Sequence, residues 1–234
     1  MIYAMGREIE LKIPLTNEQY DSFFQTFYAP NHPVSPFDSI QILDSSAEQT
    51  IKEDEFFSKY DSMEERIAHN EPTVIRLRTE KTLKTPTTAA PSKVFFTIKQ
   101  KNRKDGFEIN REDETYVENA EVLRLFMETA GYHCWFKKVK TAFSCHCTLK
   151  NKGVTLTQPL RLSHSESQSQ STLPLVFHVE LVSVNSLKYI EIEVTSQDAQ
   201  ATSITSALAV FVKKMGLRPE DKDPRSWYEI INGV

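Results

Sequence analysis

The sequence predicts an α+β fold in which an antiparallel sheet has one charged face and one apolar face, with amphipathic helices covering the apolar side. Three observations lead there. Strand-like runs alternate charged and apolar residues with period two, which puts the charges of each run on one face. Within a run those charges tend toward one sign, whereas a solvated face normally mixes signs. Three longer runs instead repeat apolar residues at helical spacing. Two architectures fit this pattern. One is a curved sheet offering its charges to water. The other is a closed barrel with charges inside and helices outside, which would also remove exposed sheet edges. Segregation of sign strand by strand favours the barrel.

The elements follow in order. "REIELKI" within 6–13 sets Glu8, Glu10 and Lys12 on one face, opposite Ile9, Leu11 and Ile13. Thr16 then opens a helix with a capping box to Gln19, carrying Tyr20, Phe23, Phe24, Phe27 and Tyr28 and ending before Pro30. Strands are expected at 39–43 and 51–58. At 73–80, Arg76, Arg78 and Glu80 oppose Ile75 and Leu77; at 93–101, Lys99 and Lys101 oppose Phe96 and Ile98. At 106–117, Glu108, Asn110, Glu112, Glu114 and Tyr116 line up against Phe107 and Ile109. A second helix runs from Asn119 to Gly131 and is expected to bury Val122, Leu123, Phe126, Met127 and Ala130.

Lys138 and Lys140 share a face in 136–149, His178 and Glu180 in 175–183, and Glu191 and Glu193 in 188–195. A third helix begins near Ser196 and carries Ile204, Ala207, Leu208, Phe211, Val212 and Met215, with Lys213, Lys214 and Gly216 suited to its C-terminus. A short helix over 226–231 closes the chain. The polar stretches 82–92 and 151–174 read as loop insertions within one domain spanning 1–234.

Composition narrows the function. With 234 residues and 39% hydrophobic content, a substantial core is available. A net charge of −4 gives no basic footprint for nucleic acid, although a basic tunnel would admit the 5′ end of an RNA. No apolar run approaches the ~18 residues of a membrane span, and no secretory leader is evident. Three cysteines, an odd and sparse count, fit a reducing cytoplasm. Only six glycines occur and none forms a phosphate-binding loop, which argues against a P-loop enzyme.

Arginine and lysine bind phosphoryl oxygens through charge-assisted hydrogen bonds. Clustered carboxylates take a hard divalent cation. A lumen offering both suits a polyphosphate chain with bound metal.

These residues also carry a family resemblance. "EIELK" resembles the N-terminal Glu-x-Glu-x-Lys motif of the CYTH superfamily, the triphosphate tunnel metalloenzymes. "EDEFF", "IRLR", "FTIKQ", "REDETYVEN", "KKVK", "YIEIEV" and the closing "SWYEII" resemble its further elements in order, over almost the whole chain. Glu180 stands where Asp is usual and Lys140 where Arg is commoner. The resemblance implies an eight-stranded antiparallel tunnel binding a triphosphate with Mg²⁺ or Mn²⁺. It implies Lys12, Arg76, Arg78, Lys99, Lys138 and Lys140 on the phosphate chain, and Glu8, Glu10, Glu112, Glu114, Glu191 and Glu193 on metal. Lys12, Glu10 and Glu193 would stand closest to catalysis.

The expected activity is hydrolysis of a terminal phosphate from tripolyphosphate, thiamine triphosphate or a nucleoside triphosphate, by a monomer or homodimer without a membrane or nucleic-acid partner. Two alternatives stand beside it: a class IV adenylyl cyclase making cyclic AMP and pyrophosphate, and a non-catalytic polyphosphate-binding module. "CHC" (Cys145 to Cys147) lacks a second ligand pair at zinc spacing and reads as structural. His178 reads as a wall residue, and Tyr116 and Tyr189 as packing groups.

Overall fold

The computed structural model describes residues 6–28, 37, 39–45, 48–71, 73–83, 91–150, 155–157, 172–196 and 201–234. Its strands are β1 (Gly6–Pro14), β2 (Ile40–Ser45), β3 (Gln49–Ser58), β4 (Thr73–Leu83), β5 (Lys93–Gln100) and β6 (Arg103–Lys104). They continue as β7 (Phe107–Tyr116), β8 (His133–Leu149), β9 (Thr155–Thr157), β10 (Thr172–Pro174), β11 (Phe177–Val184) and β12 (Leu187–Ser196). The helices are α1 (Asn17–Phe27), α2 (Met63–Ala68), α3 (Ala120–Thr129), α4 (Ala201–Lys214) and α5 (Trp227–Asn232).

Eight strands close into an antiparallel barrel in the order β1-β12-β11-β8-β3-β4-β5-β7. Closure is made by β1, which pairs with β12 on one side and β7 on the other. Because β1 is bonded on both sides, no edge is left at the seam. The long strand β8 pairs with β3 along its first half and with β11 and β2 along its second. Beyond the barrel, β6 extends β7, and β9 and β10 form a separate two-stranded ribbon. That ribbon falls inside the segment 151–174 read from sequence as loop; the rest of that segment, and 84–90 of the other insertion, lie outside the described residues.

Alternation sends the apolar residues outward, where helices bury them. Ile9, Leu11, Ile13, Val179, Leu181, Ile190, Ile192 and Val194 form one core with Tyr20, Phe23 and Phe27 of α1 and Ile204, Leu208, Phe211 and Val212 of α4. Phe211 stacks on Phe177 at 4.1 Å between centroids. Each such fully buried side chain contributes about 1.5–3 kcal/mol, and truncating Phe211 to Ala would cost about 3–5 kcal/mol. The capping box of α1 forms as expected, with Thr16 accepting from the Gln19 N–H and the Gln19 side chain accepting from the Thr16 N–H. The third helix begins at Ala201, and its predicted start at Ser196 runs through 197–200, outside the described residues.

Two expectations are corrected. First, α3 buries Met127 and half-buries Leu123 against Phe57 and Leu77, but Val122 and Phe126 are 61% and 67% exposed and Ala130 is also exposed. The run has more than one apolar row, and a helix lying on a sheet buries one stripe. Arg124 settles which: its Nε donates to Glu55 of β3 at 2.7 Å, rolling Leu123 and Met127 inward. Second, α2 was not foreseen. Six residues are too few for a helical period to show, and its start is marked only by Ser62 accepting from the Glu65 N–H.

Candidate active site

The barrel register brings the charged faces together. Across β3, Asp54 lies opposite Arg78 of β4 and Lys138 of β8, while Lys52 lies opposite Glu80 and Lys140. On the far wall, Glu10 of β1 lies opposite both Glu193 of β12 and Glu108 of β7. Like charges directly opposite one another destabilise a sheet, so this wall needs cations brought to it. Lys99 of β5 supplies one: its Nζ contacts Glu8, Glu10 (3.3 Å) and Glu112 (3.2 Å) together. Arg76 supplies another through Nη2, 3.2 Å from Glu112 and 3.2 Å from Glu114.

A second set of pairs fills the opposite wall. Arg78 grips Asp54 with Nε and Nη2 at 2.6 and 3.0 Å, and Lys138 approaches the same carboxylate at 3.1 Å. Lys140 bridges Glu180 (2.9 Å) and Glu191 (2.6 Å), and Lys52 reaches Glu180 at 2.5 Å. Glu191 also accepts from the Trp227 indole at 2.6 Å.

These groups enclose a cavity of about 780 Å³. Glu8, Glu10, Arg76, Arg78, Lys99, Glu112, Glu114, Lys138, Lys140, Glu191 and Glu193 all line it. Lys12 does not: its ammonium is buried on Glu108 at 3.2 Å, off the cavity wall. Glu191 is on the wall but apart from the other expected metal carboxylates, tied into the Lys140–Trp227 cluster. Sequence reading gives no role to Lys52 or to Asp54 of the "EDEFF" element, although alternation within 51–58 sets them on one face, or to Thr97, whose hydroxyl donates to Glu114 at 2.8 Å.

One flank of the cavity is aromatic: Phe56, Trp135, Phe136, Trp227 and Tyr228 line it. Phe56 and Phe136 stack at 5.4 Å, and Tyr228 meets Trp135 at 5.0 Å and Phe136 at 5.3 Å. Trp135 reaches this wall through a β-bulge. The partners of Phe56 and Phe57 step from Phe136 to Cys134, leaving Trp135 as the extra residue.

The electrostatics follow from burial and crowding. Burial, reinforced by Glu10, Glu193 and Glu112, pushes the Glu8 carboxyl well above the usual range despite Lys99. Burial opposes charge on Glu112 too, yet Lys99 and Arg76 outweigh it and hold the group at about 2. Asp54 resists burial in the same way, held well below the usual carboxylate range by Arg78 and Lys138. Lys138 goes the other way. Burial brings it down to about 7, because Asp54 and Glu191 compensate only in part while the neighbouring Lys140 and Arg78 charges oppose its own.

Among the described residues, Arg76 Nε, Asn110 Oδ1 and Trp135 Nε1 are buried without a hydrogen-bond partner. Such atoms are costly unless a ligand meets them. Asn110 Oδ1 is an acceptor lying beside Glu8, to which Asn110 Nδ2 donates at 3.5 Å. Asn110 does not itself line the cavity; the carboxylates that do, with Glu8, Glu10 and Glu112 converging on Lys99, offer the oxygen donors a hard divalent cation requires. Arg76 Nε is a donor suited to a phosphoryl oxygen. Among the described residues no three His, Cys, Asp or Glu side chains already stand in coordination geometry.

In the "CHC" stretch, Cys145 and Cys147 are buried in the outer core, while His146 points away to Asp44 at 2.9 Å. His178 lines both the large cavity and a smaller one of about 270 Å³ shared with His146, Glu193 and Thr195. Glu193 and Glu180 raise its pKa against the effect of burial. Among the described residues no helix is long and apolar enough to cross a membrane.

No protein-family model and no curated protein matches the sequence. Solved structures do. A protein of Pyrococcus horikoshii aligns with a TM-score of 0.61 and 15% identity over 97% of this chain and 98% of that one. A candidate adenylate cyclase of Vibrio parahaemolyticus aligns with a TM-score of 0.58 and 13% identity over 98% and 99%. A candidate adenylyl cyclase of Hippeastrum, described as having a dominant triphosphatase activity, aligns with a TM-score of 0.51 and 13% identity over 98% and 96%. At these identities the likeness establishes the fold.

Proposed function

We propose that this chain, built on the CYTH tunnel fold its motifs resemble, is a metal-dependent triphosphatase acting on an organic triphosphate. The observation that carries the reading is one cavity lined both by carboxylates (Glu8, Glu10, Glu112, Glu114 and Glu193) and by cations (Arg76, Arg78, Lys99, Lys138 and Lys140), with the Arg76 Nε donor left without a partner. Arg76, Arg78, Lys99, Lys138 and Lys140, joined by Lys52, would hold the phosphate chain. Glu8, Glu10, Glu112, Glu114 and Glu193 would hold Mg²⁺ or Mn²⁺, directly or through water, with Glu191 orienting Lys140. Lys12, on the inward face of β1 beside Glu10 and opposite Glu191, keeps Glu108 paired and would add its charge to the phosphate-binding set. When bound, the cation supplies Lewis-acid polarisation of phosphoryl oxygens and lowers the pKa of an attacking water. Phosphoryl transfer needs positioning and charge stabilisation above all, so no nucleophilic side chain is required.

The aromatic flank favours an organic triphosphate over tripolyphosphate, since an inorganic chain would leave those rings without a guest. The Hippeastrum protein's dominant triphosphatase activity weighs for hydrolysis over cyclisation. The test is a panel of tripolyphosphate, thiamine triphosphate, ATP and pyrophosphate with each divalent metal, following orthophosphate, cyclic AMP and pyrophosphate. Metal-dependent orthophosphate release, abolished by chelator, is expected. Cyclic AMP with pyrophosphate would assign a cyclase, and tight binding without turnover a binding module.

A further inference from the structure

Lys99 occupies an unusual position for a phosphate-binding group. Its ammonium is buried where Glu8, Glu10 and Glu112 converge, and it touches all three. Among the described residues, the other cations named in the tunnel, Arg76 aside, have a main partner outside this cluster: Arg78 and Lys138 on Asp54, Lys140 and Lys52 on Glu180, Lys12 on Glu108. Arg76 shares it through Glu112. The point toward which these carboxylates aim is therefore filled by a side chain, and a divalent ion placed there would meet a buried positive charge within a few ångströms. Lysine suits a removable occupant, being a compact charge on a flexible four-carbon stem.

We propose that Lys99 is a built-in counter-cation: it holds the carboxylates of the metal site in the ligand-free tunnel and must transfer to the phosphate chain before a divalent ion can bind. Metal and triphosphate then enter as a coupled pair. The triphosphate draws Lys99 away from Glu8, Glu10 and Glu112, and the vacated carboxylates gain affinity for metal. By linkage each ligand strengthens the other by the same factor. Arg76, one carboxylate away with a free Nε, marks the phosphate side toward which the charge can shift. The inference rests on the metal reading above and assigns Lys99 a positioning role within it.

The test is Mn²⁺ binding to the protein alone, without triphosphate, by electron paramagnetic resonance and calorimetry. Wild type, Lys99→Met, Lys99→Arg and Lys138→Met are compared, with melting curves to show that each is folded and Lys99→Gln replacing Lys99→Met if it is not. Lys99→Met should bind Mn²⁺ roughly tenfold or more tightly than wild type. Lys99→Arg should stay as weak as wild type, and Lys138→Met should change the affinity far less than Lys99→Met. Unchanged or weaker Mn²⁺ binding in Lys99→Met overturns the proposal while leaving the metal site standing. So does an equal gain in Lys138→Met, which would mean general charge rather than occupancy. Absence of Mn²⁺ binding in every form, even at millimolar metal, overturns the metal reading itself and this inference with it.

Discussion

Glu10 and Glu193 lie directly opposite one another across β1 and β12, and Glu108 lies opposite Glu10 on its other side. A sheet selected for stability alone would not set three carboxylates side by side, because each like-charged pair costs a few tenths to about 1 kcal/mol. The arrangement makes sense as a site whose charge is completed by something the chain does not carry. Glu10→Gln should therefore keep or raise the melting temperature, corresponding to a gain of up to about 1 kcal/mol. The same change should lower metal-dependent phosphate release about 100-fold. Melting curves beside turnover decide it; a destabilised but fully active variant would remove Glu10 from the site.

Asp54 serves the opposite wall structurally. Its carboxylate is fully buried and carries both Arg78 and Lys138. Removing its charge leaves a buried cation unpaired, so Asp54→Asn should cost about 3–5 kcal/mol in urea denaturation at pH 7. The folded-state pKa of Asp54 is depressed. Its contribution is thus fully present above the unfolded value of about 3.9 and is lost as pH falls through the lower folded value. The gap between wild type and Asp54→Asn should hold or widen from pH 7 to 5, where Lys138 gains its proton beside Asp54 in wild type, and narrow below about pH 4. A gap that is small, or that shrinks already between pH 7 and 5, would contradict this assignment.

Lys138 is the group whose charge responds to the ligand. Burial holds its pKa at about 7, so above that pH it is largely neutral in the ligand-free tunnel. A bound phosphate chain favours the ammonium and raises the pKa, so binding at pH 8 to 9 should take up about one proton. Calorimetry of tripolyphosphate binding in buffers of different ionisation enthalpy reads this directly. Lys138→Met should abolish the uptake, whereas Lys140→Met should retain it, because Glu180 and Glu191 outweigh burial and raise the Lys140 pKa. Equal uptake in wild type and Lys138→Met would place the titrating group elsewhere.

Period-two alternation made the direction of nearly every charged side chain legible, since it depends only on strand geometry. What alternation cannot convey is register and closure. Nothing local shows that Glu10 faces both Glu193 and Glu108, because those pairings join segments some hundred residues and more apart. For the same reason the Lys12–Glu108 pair is not legible: the face of Lys12 follows from alternation, but its partner belongs to the β1–β7 seam. The rotation of α3 depends on long-range contacts, Met127 and Leu123 on Phe57 and Leu77 and Arg124 on Glu55, and so escapes a reading based on apolar spacing. Trp135 escaped it too, because a bulge breaks the alternation just where that ring turns into the cavity.

The aromatic flank makes the last prediction. Tyr228 projects from α5 and touches both Trp135 and Phe136, so it anchors the part of the wall farthest in chemistry from the phosphate-binding cations. A ring stacked on such a surface contributes about 1–3 kcal/mol, and that contribution is available only to a substrate with an aromatic group. Tyr228→Ala should therefore raise KM for ATP or thiamine triphosphate by about tenfold, while kcat/KM for tripolyphosphate stays within about twofold. Because Tyr228 forms no ion pair with the phosphate-binding groups, a general collapse of the tunnel would instead lower both activities together. Parallel loss on organic and inorganic substrates would show that this wall supports the barrel rather than selecting the substrate.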